Sequence, residues 1–205
     1  MLSLIAMGGW MMIPIILCSI LATAIIGERL WALRDPLIMP PDVIPRIWKL
    51  HRENKLDAAE LRQIKVGSPL GAIVSAALEQ RSLGRDAMKE SAEHAGRQVV
   101  HELEKYLNTL GTIASISPYM GLLGSVLGMI KVFGAFSASG DSFANPAHLA
   151  GGVSEILVAT AAGLAIAIPS LIFYRYFQGK ISELTVLMEE ETMRLIDTLD
   201  KANTP

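Results

Sequence analysis

The chain has a single cysteine, Cys18, so an internal disulfide is excluded, and with no second thiol a cysteine metal cluster is excluded with it. Aromatic residues are sparse at 6% and the net charge is only −2. There is therefore no basic surplus of the kind that nucleic-acid binding requires. Charge is absent altogether from the side chains of residues 1–27, and the stretch Ser142–Tyr174 carries one charged residue, Glu155. Between Ser137 and His148 there is no lysine or arginine. No nucleophile and base pair, phosphate-binding loop or metal-ligand cluster is present, so the pattern is not that of an enzyme, and no cofactor is expected. The histidines His51, His94 and His101 have no cysteine near them and read as solvated surface residues.

What is abundant is apolar length. Hydrophobic residues make up 51% of the 205 residues and the mean hydropathy is +0.40, too apolar for an ordinary soluble domain. A helix crosses a bilayer with about 20 apolar residues. Three segments meet that length: one within residues 1–27, with Leu4–Ile26 as its apolar part; one at 106–136, containing the uncharged run between Lys105 and Lys131; and one at 149–174. A secretory signal is the competing reading of the first, but it lacks a basic leader and its apolar run is too long. Pro14 is expected to kink this first helix without ending it.

Between Glu28 and Lys105 the composition changes, with thirteen Lys or Arg and twelve Asp or Glu. This is a water-exposed region, 28–105. Pro36, Pro40, Pro41 and Pro45 suit a bent connector followed by short helices. Asp57 with Glu60 resembles a capping box, and Ser68 before Pro69 suits an N-cap and first helical position. From Arg85 the sequence reads as continuous helix into the second span, with Ala92, Val99, Leu103 and Leu107 as an apolar stripe. After the third span, residues 175–205 form an amphipathic tail in which Ile181, Leu184, Met188, Leu195 and Leu199 recur at helical spacing. The arms back to Arg85 and forward to Lys201 would each run about 80 Å if unbroken. The fold class is thus an all-α membrane protein: three transmembrane helices, a loop at 137–148, and long helical extensions into the cytoplasm.

Glu155 is the conspicuous residue. Placing an ionised side chain at the centre of a bilayer costs about 2.5–3.5 kcal/mol or more, so such a residue faces a bundle interior, a water path or a partner; the alternative, with Glu155 about 9 Å in from a helix start near Leu149, is a side chain that snorkels to the interface. One such partner is Lys131: counted in from the ends of two antiparallel spans, Glu155 is level with Ile130 and Lys131. Gly121, Gly124 and Gly128, with Ala159 and Gly163, are small residues that let membrane helices approach closely.

Two stretches carry a resemblance. Ser117-Pro118-Tyr119-Met120-Gly121-Leu122-Leu123-Gly124-Ser125-Val126-Leu127-Gly128 and Gly152-Val153-Ser154-Glu155-Ile156-Leu157-Val158-Ala159-Thr160-Ala161-Ala162-Gly163, continuing to Pro169, resemble the signature of the MotA/TolQ/ExbB proton-channel family, in its ExbB and TolQ branch. The three-span layout agrees with that branch and departs from the four-span MotA branch. The resemblance implies a multi-pass protein of the bacterial inner membrane. It implies a homo-oligomer, a pentamer, around the single spans of an ExbD-like or TolR-like subunit, and proton flow that drives a TonB-like or TolA-like protein. It also implies that Glu155, Thr160 and Ser125 lie on the proton pathway or line the pore. Ser125 departs from the threonine usual at its position, and Leu127 stands where tryptophan is common. The rival reading from the residues alone is a scaffolding membrane protein with a Glu155–Lys131 ion pair and no ion conduction.

The asymmetry of lysine and arginine places residues 28–105 and 175–205 in the cytoplasm and the N-terminus and the 137–148 loop in the periplasm. In a chain with Cys18 replaced by alanine, a membrane-impermeant thiol reagent applied from the periplasm should modify a cysteine placed at Ser139 and spare one placed at Ser82. The opposite labelling pattern would invert the topology.

Overall fold

The computed structural model describes residues 10–53, 55–138 and 146–203; for 135–138, 146–150, 155, 202 and 203 only the backbone is described. The described residues form helices and turns with no strand. In chain order the helices are α1 (Met12–Ala32), α2 (Asp35–Ile38), α3 (Val43–Arg52), α4 (Ala58–Gly67), α5 (Pro69–Glu79), α6 (Arg85–Leu103), α7 (Leu107–Ala138) and α8 (Pro146–Asn203), with a short 3-10 turn at Arg81–Leu83. Among these, α1, α7 and α8 are long and apolar enough to cross a membrane. The chain divides into two compact units: residues 1–27 with 106–175, and 28–105 with 176–205.

The first unit holds the apolar parts of α1, α7 and α8. Its outward side chains are those of a surface made for lipid or other helices, with Ile13, Tyr119, Ile130 and Leu157 all exposed in the single chain. Pro14 falls in the first turn of α1 as described, where an amide without an intrahelical acceptor has nothing to lose. A mid-helix kink is therefore not its role in the described part of the chain, and the residues expected to precede it in the span, Leu4 to Gly9, lie outside the described residues. Of the expected 137–148 loop, residues 139–145 also lie outside them.

The second unit is a small helical domain with a conventional core. Ile38, Ile47, Leu70, Val74 and Leu78 are buried from α2 to α5, and α6 adds Met88, Ala92, Val99 and Leu103. The stripe read from the tail is the face that closes this core: Ile181, Leu184, Met188, Leu195 and Leu199 are all buried, joined by Phe177 and Ile196. Helix starts follow the sequence signals. Asp57 accepts a hydrogen bond from the Glu60 amide at 2.8 Å, and Ser68 accepts one from the Gly71 amide at 3.0 Å, with Pro69 in the first turn. The box at Asp57 is not reciprocal, because the Glu60 carboxylate instead accepts from Arg46 at 2.8 Å. Hydroxyls tie helix to helix: the buried Ser75 donates to the Leu61 carbonyl at 3.0 Å and the half-buried Ser91 to the Ala76 carbonyl at 2.9 Å. Lys180 reaches Asp35 at 2.8 Å and Glu183 at 3.3 Å, and these contacts, the Asp35 hydrogen bond first, hold its ammonium above the usual lysine pKa.

The expected unbroken helix from Arg85 into the second span is interrupted. Helix α6 stops at Leu103, α7 starts at Leu107, and between them Tyr106 adopts φ 64°, a left-handed conformation uncommon for a bulky residue. The stop has an identifiable partner. The carbonyl of Leu103, in the last turn of α6, accepts a hydrogen bond at 3.0 Å from Arg29, a guanidinium that is only 6% exposed. The last four carbonyls of a helix have no intrahelical donor, and a cation there also opposes the helix dipole. Arg29 further donates to Glu28 at 2.5 and 2.7 Å, so this buried cation is neutralised by its own neighbour in α1. The tail differs: α8 runs from Pro146 to Asn203 without a break.

Burial assigns the tail stripe an energetic weight that exposure does not. Leu184→Ala should destabilise the protein by about 2–5 kcal/mol, the range for truncating a buried leucine. Val186→Ala, on the exposed face of the same helix, should shift stability by less than about 0.5 kcal/mol. Thermal unfolding of the two variants in the same detergent checks the contrast.

Candidate functional site

Within the first unit, α7 and α8 pack antiparallel along a seam of small residues. A Cβ built on Gly163 would sit 2.5 Å from the Ser117 carbonyl oxygen and 3.2 Å from the Gly121 Cα. One built on Gly121 would sit 2.8 Å from the Ala159 carbonyl oxygen. At Gly124 it would meet the Ala159 Cβ at 3.1 Å, and at Gly128 the Ile156 side chain at 2.7 Å. These glycines and Ala159, which is 1% exposed, therefore set the approach of two backbones inside one chain. At the far end of the seam, Gly152 abuts Val132.

The close approach brings two hydroxyls together. Ser125, on α7, and Thr160, on α8, are 35 residues apart in sequence and in direct hydrogen-bond contact. Ser125 Oγ also lies 3.1 Å from the Gly121 carbonyl oxygen of its own helix and 3.0 Å from the Ile156 carbonyl oxygen across the seam. Thr160 Oγ1 lies 3.3 Å from the same Ile156 oxygen. A hydroxyl in a helix ordinarily donates to the carbonyl four residues back, and Ser115, Ser117 and Ser170 do so. Ser125 and Thr160 have that option and a second one. Two hydroxyl protons face two carbonyls and each other, so there are more acceptors than protons, and the pattern can be rearranged by rotating a hydroxyl. The cluster is half-buried. Ser125 stands with Ile156 on the wall of an open cavity of about 520 Å³ whose other walls include Val126, Met129, Ile130 and Phe133.

The remaining sequence-derived residues are placed as follows. Glu155 lies in α8 one residue before Ile156, but its side chain is outside the described residues, and so is its pairing with Lys131. The backbone register is described. Gly128 faces Ile156 and Val132 faces Gly152, which sets Glu155 opposite Met129 and Lys131 opposite Val153. Counting from helix ends at 136 and 149 instead puts Glu155 level with Ile130 and Lys131. The difference of one to two residues arises because α7 runs on to Ala138 and α8 already begins at Pro146. Lys131 itself is exposed.

Two participants are invisible to residue-type reasoning. The Ile156 carbonyl contributes backbone, not side-chain, chemistry. Ser117 is buried with its own carbonyl against Gly163, and its hydroxyl turns back to Ile113 at 2.7 Å. The small-residue spacing is the available signal for the second.

The glycines differ in what they can tolerate. Gly163→Ala should destabilise the α7–α8 pairing by about 1–3 kcal/mol, the usual cost of overpacking against atoms that cannot yield. Gly163→Leu should prevent recovery of folded protein. Gly134→Ala, where an added Cβ meets nothing within 4 Å, should be neutral or stabilising. Thermal unfolding of purified variants measures the difference.

Sequence comparisons identify the family. Residues 65–190 match the model of the MotA/TolQ/ExbB proton channel family. The putative biopolymer transport protein ExbB-like 3 of Synechocystis sp. is 30% identical over 186 residues, covering 90% of this chain and 88% of that protein. The biopolymer transport protein ExbB of Aquifex aeolicus is 41% identical over 86 residues, covering 42% of this chain and 57% of that protein. The Tol-Pal system protein TolQ of Pseudomonas aeruginosa is 36% identical over 106 residues, covering 50% of this chain and 45% of that protein. The matched region holds the whole glycine seam and the Ser125–Thr160 cluster. With three helices able to span a membrane and this shared sequence, the chain is a multi-pass membrane protein that belongs to the MotA/TolQ/ExbB proton channel family, in its ExbB/TolQ branch.

Proposed function

We propose that the chain is the proton-channel subunit of an ExbB/TolQ-like energy-transducing complex of the bacterial inner membrane. Proton-motive force would be coupled through it to mechanical work on a TonB-like or TolA-like protein. The observation that carries this reading is the hydroxyl pair of Ser125 and Thr160, gathered with the Ile156 carbonyl on the glycine seam of α7 and α8. A water-lined path needs polar groups that can exchange donors and acceptors within an otherwise apolar helix pair, and this cluster has spare acceptors. Glu155, five residues before Thr160 on α8, supplies the titratable group in this reading.

The partner follows from the same assignment. A homopentamer of this chain surrounds the single spans of an ExbD-like or TolR-like subunit, which supplies a membrane aspartate. The energetic scale is adequate: one charge moved through 100 mV yields about 2.3 kcal/mol, so a few protons per cycle can drive a mechanical step. The N-terminus lies in the periplasm, and the charged regions 28–105 and 175–205 lie in the cytoplasm.

The scaffolding reading differs in one testable respect, the role of Glu155. In backbone register Lys131 lies opposite Val153, two residues from Glu155. Glu155→Gln preserves shape but removes titration. With a co-expressed single-span partner in liposomes, Glu155→Gln should assemble with unchanged thermal stability and lose proton flux. Combining it with Lys131→Met should not restore flux. If the Gln variant is instead destabilised and the double variant is rescued, or if flux persists in Glu155→Gln, the residue is a structural partner and the channel assignment fails.

A further inference from the structure

Helix α3 carries an outward face that neither the proton path nor the packing of the second unit uses. Its inward residues include Val43 and Ile47, both buried, and its last turn is basic, with Lys49, His51 and Arg52. Pro45, Trp48, Lys49, Arg52 and Glu53 line an open recess of about 550 Å³ on this helix. Trp48 is half-buried, and its indole meets the His51 ring at 6.3 Å between centroids, with the two planes at 83°.

Pairing decides what this face can bind. Arg46 is taken up by Glu60 at 2.8 Å and Gln63 at 3.1 Å, and the Glu53 carboxylate by Lys55 at 2.9 Å. That hydrogen bond first, then the charges of Lys55 and Lys49, hold the Glu53 carboxyl below its usual pKa, so this acid is ionised and already matched. The side chains of Lys49 and Arg52 make no hydrogen bond or ion pair among the described residues, and the Trp48 indole N–H has no acceptor among them. Asp42 sits at the opposite end of the helix, as its N-cap. The C-terminal end of a helix carries about half a negative charge, so two unmatched cations there leave the recess net positive.

An anion is the complement, and the connectivity of the chain indicates its source. Only residues 33–42 separate the end of α1, a helix able to cross a membrane, from the start of α3. Fully extended, a connector of that length reaches about 35 Å, and with α2 folded inside it the tether is shorter. A lipid surface is therefore always within reach of α3, whereas a soluble acidic partner has to be captured from solution. Trp48 and Pro45 favour the same source. An indole, with an apolar body and one polar edge, suits headgroup depth, and an acidic peptide gains little from it. Lysine and arginine can lay their apolar stems along the helix and present their charges to phosphate.

We propose that α3 is a membrane-surface helix, whose Trp48, Lys49 and Arg52 face docks on the anionic phospholipid headgroups of the surface at which α1 emerges. This rests on α1 crossing the bilayer and on no part of the proton pathway, so the two readings fail separately.

Trp48 is its own reporter. In the full chain, Trp10→Phe and Trp31→Phe leave it as the one tryptophan. Its quenching by acrylamide, a neutral reagent, is measured in nanodiscs of phosphatidylcholine and in nanodiscs that also contain phosphatidylglycerol. Both leaflets then carry the same lipids, so the orientation of the chain does not enter. Phosphatidylglycerol should lower the quenching constant about twofold or more. Each cation near an anionic surface is equivalent to about fivefold in the docking equilibrium, so Lys49→Gln with Arg52→Gln should shift it about 25-fold and return quenching to its phosphatidylcholine value. Salt at about 1 M, where the screening length falls to about 3 Å, should do the same. Arg62→Gln with Arg97→Gln, which removes the same charge from exposed positions on α4 and α6, should leave the protection in place. Equal quenching in the two lipids would overturn the proposal. So would protection that survives Lys49→Gln with Arg52→Gln, or that is lost equally in the Arg62→Gln, Arg97→Gln control. Soluble poly-glutamate shielding Trp48 in phosphatidylcholine nanodiscs more than phosphatidylglycerol does would also overturn it, and assign the face to an acidic protein segment.

Discussion

Two helices in a membrane cannot rely on the hydrophobic effect to hold them together, because lipid is as apolar as the side chains that would be buried. The α7–α8 pair depends instead on how closely its backbones approach, and that distance is set by what is missing at Gly121, Gly124 and Gly163. With even one methyl group at Gly163, the Ser117 carbonyl would have to move. At the observed separation, a serine on one helix can reach a carbonyl on the other, and Ser125 does so at 3.0 Å. Packing and polar chemistry are therefore one constraint, since the spacing that gains dispersion contacts also gathers the hydroxyls.

The second unit is stabilised in a different way, by burial of an apolar core, with Arg29 and Ser75 paired to backbone carbonyls inside it. The buried Arg29 guanidinium satisfies a carbonyl that the end of α6 leaves without a donor, and Glu28 supplies the opposite charge from the adjacent position. A buried cation without such partners would be severely destabilising. The left-handed Tyr106 follows within three residues, where the chain reverses its backbone preference before entering α7.

Much of this is legible in the sequence because it depends on local spacing. The tail stripe from Ile181 to Leu199 has the helical period, and its burial follows. Asp57 and Ser68 cap their helices because their side chains reach an amide three residues ahead, an interaction contained within one turn. The break before α7 is not legible. Tyrosine carries no preference for positive φ, and the partner that terminates α6 is Arg29, 74 residues away. The contact between Ser125 and Thr160 is likewise non-local. Periodicity places each on its own helix, and the family resemblance names both as pathway residues without implying that they touch. The one-to-two-residue difference in the level of Glu155 arises because helix ends are poorly specified by composition, and a register counted from the ends inherits that error.

The antiparallel seam imposes a tolerance rule on length changes in this chain. Gly121 meets Gly163, Gly128 meets Ile156 and Val132 meets Gly152, so each step forward along α7 is matched by one step back along α8. A single residue inserted between Ser117 and Val132 would rotate the helix beyond it by about 100° and present a side chain where a neighbouring backbone needs a glycine. The same holds for α8 between Gly152 and Gly163. A change in the number of residues joining Ala138 to Pro146 alters neither interval, because both helices keep their own phase on either side of it. Related chains that differ in length should therefore vary in that connection or in the connectors around α2 and α3, and keep the eleven-residue step from Gly152 to Gly163 constant.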